Sequence, residues 1–426
     1  MNDVEQSRVL VRDLLTESGL GTRTELYRQI TTADSSIECL YSWHVLFLTL
    51  LIGSLSFSAI ISIPVLLKPI ASDWHADARD LALVHGLAMV GSGIGGLMLG
   101  RIFDRIGFFR ISLIGAVATG AGLFLASRAS TIGQLQLAYG VLVGGLAQGA
   151  FFGPLVAAVS LWFDKNRPLA MSVAACSQGV GGLIAPLLLR LGAQAYGWRA
   201  TLACFSIVAG TLIATASLVF RRAPPARSPE RELTVARGRA NPSPPWRFVG
   251  YCFGIALFNL ATFLVLGHLA AYGEERGFTT VHAALLMPML LGSTLPLRLG
   301  LVLLNRWCGT DRMLAFSGFA LITGLCMLLT STTYIGIGIS VMVIGVGFGV
   351  YIPGFAVAVR EMFPPSAAGQ RIGEVYFWGF IASGLGSWLG GVLRDASGDY
   401  TLNFVCAAGV ASIGLIVQMS ICIFRR

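Results

Sequence analysis

One arginine lies within a long apolar stretch of the sequence. Arg298 stands in LLGSTLPLRLGLVLL (290–304), which contains no other charged residue. A charge inside a membrane-spanning segment is costly, so such a residue marks a binding site or a transport pathway by default. Arg298 is also about six residues, or roughly 9 Å of helical rise, from the predicted helix end. Its side chain could therefore extend to the membrane surface instead, and both interpretations stay open.

Other polar and aromatic residues are candidates for the same site. Phe152 and Tyr351 each stand two residues before a proline in an apolar segment, where aromatic rings could flank a small anion or simply pack in the core. Asn259 is a polar residue inside another apolar segment. Three residues near predicted helix ends are either proton relays or satisfied interfacial residues: His85, His268 and Glu374.

The segment GRIFDRIGFFR (100–110) has the composition of a conformational gate. Asp104, at a helix end, can pair with an arginine and with the positive end of a neighbouring helix, which would hold one conformation closed. A loop that is merely rich in arginine would not explain the spacing of the glycines and the carboxylate. The pattern predicts a gating motif that consists of Gly100, Asp104, Arg105, Gly107 and Arg110.

The elements that must position these residues are membrane-spanning helices. Hydrophobic residues make up 55% of the 426 residues and charged residues only 12%, which excludes an ordinary soluble domain. Long continuous apolar runs indicate helices rather than a β-barrel. Twelve spans of about the length that crosses a bilayer are predicted: 44–67, 81–100, 111–127, 135–160, 168–190, 200–220, 247–271, 282–304, 313–330, 333–359, 372–393 and 401–424.

The basic residues indicate membrane topology rather than nucleic-acid binding. The formal charge is +9, and 28 of the 30 basic residues are arginines, most of them in loops. The loops on one side hold 18 Lys and Arg residues, whereas the alternate loops hold 7. The positive-inside rule therefore predicts cytoplasmic N- and C-termini, in a bacterial inner membrane or a plasma membrane. The polar start of the chain lacks the pattern of a signal peptide, so the first helix is expected to be retained.

The chain divides into two six-helix halves. Residues 221–246 form a long hydrophilic segment rich in Pro and Arg. Gly145, Gly149 and Pro154 recur about 200 residues later, which favours a repeat over chance matches in a glycine-rich protein. The predicted units are a cytoplasmic tail (1–42), a first half (43–220), a central linker (221–246) and a second half (247–426). The tail could hold a short amphipathic helix or be disordered.

The 100–110 segment resembles the GxxxDRxGRR signature of the major facilitator superfamily, with Phe108 in place of one basic residue. After the eighth span the corresponding loop has Gly300, Asn305, Arg306 and Gly309, so the carboxylate is missing. The resemblance implies a transporter whose two halves rock around a central site.

Several segments are similar to the branch of monocarboxylate porters and oxalate/formate antiporters. They include WFDKNRPLAMSVAACSQGVGGLIAP (162–186), GGVLRDASGDYT (390–401), VLLKPIASDW (65–74) and YGWR (196–199). In that family an arginine of the eighth helix binds the substrate carboxylate through its planar fork, and Arg298 lies on that helix about half a turn away. The aspartate that accepts the coupling proton in animal members is replaced by Thr294, so no proton acceptor is identified.

The predicted function is a secondary transporter that moves a small organic anion, of the monocarboxylate class, by alternating access. A transporter of another solute, such as a drug or sugar, and a non-transporting membrane sensor are the alternatives. No GxxxxGK[ST], GxSxG or HExxH pattern occurs, so ATP hydrolysis and these enzyme classes are not predicted. No cofactor or metal is expected, because the eight cysteines are scattered. The expected partners are the substrate, the lipid bilayer and a coupled proton or exchanged anion.

Overall fold

The computed structural model describes residues 36–225 and 244–423, and within these ranges it consists of helices without strands. The predicted tail 1–42 therefore lies mostly outside the described residues, and so does most of the linker 221–246. The prediction of an all-α protein is confirmed for the described part of the chain.

The first half contains six long helices. Three of them are continuous: α1 is Leu40–Trp74, α2 is Ala78–Ile106 and α3 is Phe108–Ser127. Helix α4 has four consecutive pieces: Ile132–Leu137, the π-helical Ala138–Gln148, Gly149–Phe151 and Gly153–Val159. Helix α5 covers 167–196 with an interruption at Cys176, and α6 covers 198–221, ending in the 3-10 turn Leu218–Arg221.

The second half also contains six. Helix α7 comprises Pro245–Leu266 and Leu269–Glu275, and α8 comprises Thr280–Gly292, Thr294–Leu299 and Leu301–Cys308. The remaining four are α9 (Thr310–Thr330), α10 (Tyr334–Met362), α11 (Pro365–Ser397) and α12 (Thr401–Ile423). The predicted spans match these helices, although most helices extend several residues beyond the apolar runs.

Ten stretches of the described residues are long and apolar enough to cross a membrane. One of them, Arg167–Arg221, contains 55 residues and is two helices, because Gly197 interrupts it with φ 80° and ψ 158°. That backbone conformation is available almost only to glycine. With Pro365–Ser397 as a further helix of 33 residues, the described chain contains twelve long helices. Since they alternate in direction, α1 begins and α12 ends at the same face, which we call the terminal face; the opposite one is the distal face.

Glycines allow equivalent helix pairs to pack closely in both halves. A Cβ atom added at Gly95 of α2 would lie 1.8 Å from the carbonyl oxygen of Gly145 of α4. In the second half, a Cβ at Gly345 of α10 would lie 2.0 Å from the carbonyl oxygen of Leu290 of α8. Side chains at these positions would push the helices apart. Gly145 and Gly345, which are 200 residues apart, thus lie at equivalent contacts: Gly145 in the contact between α4 and α2, and Gly345 in the contact between α10 and α8.

Candidate functional site

A small cavity lies between the two halves. Its volume is about 20 Å³, which is room for about one water molecule. The first half contributes Phe152 of α4 and Gln178 of α5 to its lining, and the second half contributes Asn259 of α7, Tyr376 and Ser383 of α11. The lining is mixed, with aromatic rings beside amide and hydroxyl groups.

Arg298 lies beside this cavity and not at an exposed surface. Helix α8 is interrupted at Ser293 and at Gly300, so Arg298 stands on the six-residue piece Thr294–Leu299. Its side chain is buried, with 1% of the residue exposed. The guanidinium donates to the carbonyl oxygen of Ala175 and, at 2.8 Å, to Oε1 of Gln178. Both acceptors belong to the first half, so Arg298 connects the halves.

The charge of Arg298 has no ionic partner among residues 36–225 and 244–423. Its two hydrogen-bond acceptors are neutral, and its Nε has no acceptor within the same residues. Gln178 and Phe348 both line the cavity, and the guanidinium carbon lies 5.8 Å from the centre of the Phe348 ring. A buried cation without a counter-charge is costly. An anion that entered the cavity could reach it by displacing Gln178.

Phe152 lines the cavity from the first half. Its ring lies 4.9 Å from the ring of Tyr376 and 4.9 Å from that of Phe380, in both cases edge to face. Phe152 stands at an interruption of α4, between the pieces Gly149–Phe151 and Gly153–Val159. Phe152 and the two α11 rings therefore form an aromatic contact between the halves at the cavity.

Asn259 lines the cavity, but Tyr351 does not. The Oδ1 atom of Asn259 accepts a hydrogen bond of 3.1 Å from Ser383. Tyr351 is fully buried, and its hydroxyl donates to Thr262 Oγ1 at 3.0 Å. The Tyr351 hydroxyl also lies 3.5 Å from Asn259 Oδ1. Tyr351 thus stands behind Asn259, in the contact between α10 and α7.

At the distal face the halves are joined by an ion-pair cluster. Glu274 of α7 accepts from Lys68 of α1 at 3.1 Å and forms a second ion pair with Arg190 of α5. Arg190 also donates to the carbonyl oxygen of Val65 at 3.3 Å. Two cations of the first half therefore hold one carboxylate of the second. Nothing in the sequence drew attention to Glu274, because a charge near a helix end is common.

The gating motif is described only in part. Gly107 has φ 77° and ψ 159°, and Gly309 of the α8–α9 loop has φ 77° and ψ 161°. Aligning the two loops on these glycines places Arg306 at the position of Asp104. Arg105 and Arg110 are exposed, and a Cβ at Gly100 would meet no atom within 4 Å. The side chain of Asp104 lies outside the described part of the structure.

The remaining candidates lie elsewhere. Glu374 forms an ion pair of 2.8 Å with Arg371 at the terminal end of α11. His85 and His268 are buried together between the cavity and the distal face. Across the described ranges, no group of three or more His, Cys, Asp or Glu side chains could hold a metal ion.

Comparison with known proteins gives consistent results. A sequence profile of the Major Facilitator Superfamily matches residues 46–387. Monocarboxylate transporter 11 of Mus musculus is 24% identical over 398 residues, which is 89% of this chain and 87% of that protein. MFS transporter asaE of Aspergillus flavus is 25% identical over 346 residues, 80% of this chain and 76% of that protein.

One solved structure shows the same fold. It is the crystal structure of a bacterial homolog of the human lysosomal transporter Spinster, in an inward-facing and occupied conformation. The TM-score is 0.67 at 15% sequence identity, and the alignment covers 90% of this chain and 97% of that one.

Proposed function

The chain belongs to the Major Facilitator Superfamily, whose members are integral membrane transporters, and from this premise we propose that it transports small monocarboxylates. The two halves would alternate access to a site between them. The terminal face would be cytoplasmic, as the arginine-rich loops indicate.

The observation that carries this proposal is the unpaired charge of Arg298. A guanidinium presents two parallel N–H groups that match the two oxygens of a carboxylate. In the described structure these groups are held by Ala175 and Gln178, which are weaker acceptors than an anion. No Lys or Arg of the described residues lines the cavity itself, and Arg298 lies beside it through its bond to the lining residue Gln178. A single cation favours a monocarboxylate over a dicarboxylate, because a second carboxylate would stay uncompensated.

The same contacts suggest how binding could act on the conformation. The acceptors of Arg298 belong to the first half, whereas Arg298 belongs to the second. A carboxylate that replaces Gln178 would remove one of the bonds that join the halves. A cavity of about 20 Å³ has room for about one water molecule, so the substrate would enter once the halves separate. The relatives named monocarboxylate transporters support this substrate class.

Counterflow in proteoliposomes tests the proposal. Vesicles loaded with unlabelled pyruvate or lactate should take up the labelled acid in a protein-dependent manner, and Arg298→Gln should reduce this uptake to the level of protein-free vesicles. Arg128→Gln is the control, because Arg128 directly follows α3 and is exposed; it should retain uptake. Competition by neutral sugars or drugs, but not by carboxylates, would favour a transporter of another solute.

A further inference from the structure

Two histidines from different halves are buried side by side next to the cavity. His85 of α2 and His268 of α7 are each 1% exposed. Both contact Ser387 of α11: His85 Nδ1 lies 2.9 Å from the hydroxyl, and His268 Nε2 lies 3.0 Å from the backbone carbonyl oxygen. Ser387 therefore links two imidazoles across the boundary between the halves.

The cluster lies one helical turn from the cavity, toward the distal face. Residues four apart share one face of a helix. His85 stands four residues before Met89, and Ser387 stands four residues after Ser383; Met89 and Ser383 both line the cavity. The ring of His85 also stacks on Phe263, another lining residue, at 5.9 Å. The histidines thus occupy the space between the cavity and the distal ion pairs.

The hydrogen bond of His268 defines its tautomer. A carbonyl oxygen can only accept, so Nε2 of His268 must carry the hydrogen that it donates to Ser387. In the neutral ring Nδ1 then holds a lone pair, and within the described structure it has no partner. The Nε2 atom of His85 likewise has none among those residues. His268 Nδ1 is therefore a buried base to which no group of the described residues donates a hydrogen bond.

The surrounding backbone leaves room for this ring. Helix α7 is interrupted between Leu266 and Leu269, and His268 stands in the interruption with φ −123° and ψ −1°. A Cβ atom at Gly390 of α11 would lie 2.6 Å from His268 Nε2. The position of the ring therefore depends on both an interrupted helix and a glycine.

The charged groups around the pair lie on its distal side. The backbone N–H of Arg79 donates to Asp395 at 3.0 Å, which connects α2 with α11. Arg394 forms an ion pair of 2.9 Å with Glu275 of α7. The titratable and charged groups on the helices packed against the pair are Arg79 and Asp80 of α2, Tyr272, Glu274 and Glu275 of α7, Arg394 and Asp395 of α11, and Tyr400 of α12.

We propose that His268, with His85 beside it, binds the proton that is transported together with the carboxylate. This proposal rests on the proposed function. The proton comes from the distal solution, is held on Nδ1 of His268, and is released on the terminal side with the substrate. One carboxylate and one proton together carry no net charge, so the loaded and the empty protein have the same charge. An imidazolium is costly while the distal face is closed, because no carboxylate of the described residues touches it. Proton binding therefore favours separation of the halves at the distal face.

A pH gradient separates coupling from transport itself. Proteoliposomes that are more acidic outside should accumulate labelled pyruvate above the level of protein-free vesicles. In His268→Gln, the amide N–H can still donate to Ser387, but the side chain has no base. We expect this variant to retain pyruvate counterflow within about threefold and to lose accumulation driven by the pH gradient. The matched control is His282→Gln, an exposed histidine at the start of α8, which should behave as the wild type.

The outcomes distinguish the two proposals. Absence of pyruvate and lactate counterflow in the wild type would contradict the proposed function. Wild-type counterflow without accumulation under the pH gradient, or full accumulation by His268→Gln, would overturn the assignment of the proton site and leave transport standing. If His268→Gln is not recovered as a monodisperse protein, His268→Asn carries the test, since its smaller side chain also keeps an amide N–H and has no base. Full accumulation by His268→Asn would then overturn the assignment.

Discussion

Arg298 of the second half donates a hydrogen bond of 2.8 Å to Gln178 of the first half, at the edge of the cavity. The two residues are 120 positions apart. Arg298 has no ionic partner among the described residues, and Gln178 is a neutral acceptor. Because this bond joins the halves, substrate binding at Arg298 would also change the contact between them. A change at either residue should therefore affect both affinity and the relative stability of the conformations.

Replacement of Arg298 by lysine should weaken substrate binding without removing the charge. Lysine is a compact point charge and cannot form two parallel bonds to a carboxylate. Loss of about one charge-assisted hydrogen bond, about 1.5–3 kcal/mol, predicts an increase of about tenfold or more in the KM for pyruvate. Counterflow kinetics measure this KM, with the exposed Arg128→Lys as the control. An unchanged KM would mean that Arg298 does not contact the carboxylate.

Neutralisation of Glu274 should open the distal face. Glu274→Gln removes the ion pairs with Lys68 and Arg190, which leaves the buried Arg190 without its carboxylate. Hydrogen exchange followed by mass spectrometry should then show faster exchange at the distal ends of α1 and α7. Glu275→Gln is a closely matched control, because Glu275 pairs with Arg394 of its own half. Equal exchange in Glu274→Gln and wild type would show that the cluster does not hold the halves together.

Much of the fold was predictable because its signals are local. Continuous apolar runs located the helices, and glycines 200 residues apart indicated the repeat that the α2–α4 and α8–α10 contacts display. The family predicted from GRIFDRIGFFR is confirmed by the profile match over residues 46–387. The sequence identified Gly309 as part of a loop that has lost its carboxylate. It did not predict that Gly309 and Gly107 share nearly the same backbone conformation, because the spacing from Gly300 to Gly309 differs from that from Gly100 to Gly107.

The site was predictable only in part. Arg298 could be identified from the sequence because it is a charged residue in an apolar helix. Whether a polar side chain lines the cavity depends on the rotation of its helix, as it does for Gln178, Tyr376 and Ser383. Helix rotation is set by packing between distant segments, which a single sequence does not encode locally. For the same reason the sequence left open whether Tyr351 flanks an anion or packs in the core, and the structure places it behind Asn259 and outside the cavity lining. The roles of Arg298, Phe152, Tyr351 and Asn259 stay predictions.

A methyl group at Gly95 should destabilise the first half. Its Cβ would lie 1.8 Å from the carbonyl oxygen of Gly145, so α2 and α4 would have to separate. Overpacking of this kind costs about 1–3 kcal/mol, and the thermal unfolding midpoint in detergent should fall by several degrees. Gly96→Ala is the neighbouring control, since the nearest atom would be 4.0 Å away. Equal midpoints for the two variants would contradict the close α2–α4 contact.

Removal of the carboxylate of the gating motif should slow turnover more than it weakens binding. Asp104 stands at the terminal end of α2, far along the helix from the cavity residue Met89, so it should not contact the substrate. If it stabilises one conformation, Asp104→Asn changes the rate at which the halves exchange positions. We expect the maximal rate of counterflow to fall about tenfold while KM changes by less than about threefold, since one lost charge-assisted interaction corresponds to roughly 1.5 kcal/mol. Asp80→Asn, at the distal end of the same helix and with a half-exposed side chain, is the control. A rise in KM at an unchanged maximal rate would instead indicate that Asp104 acts on binding, and a role in gating would then be excluded.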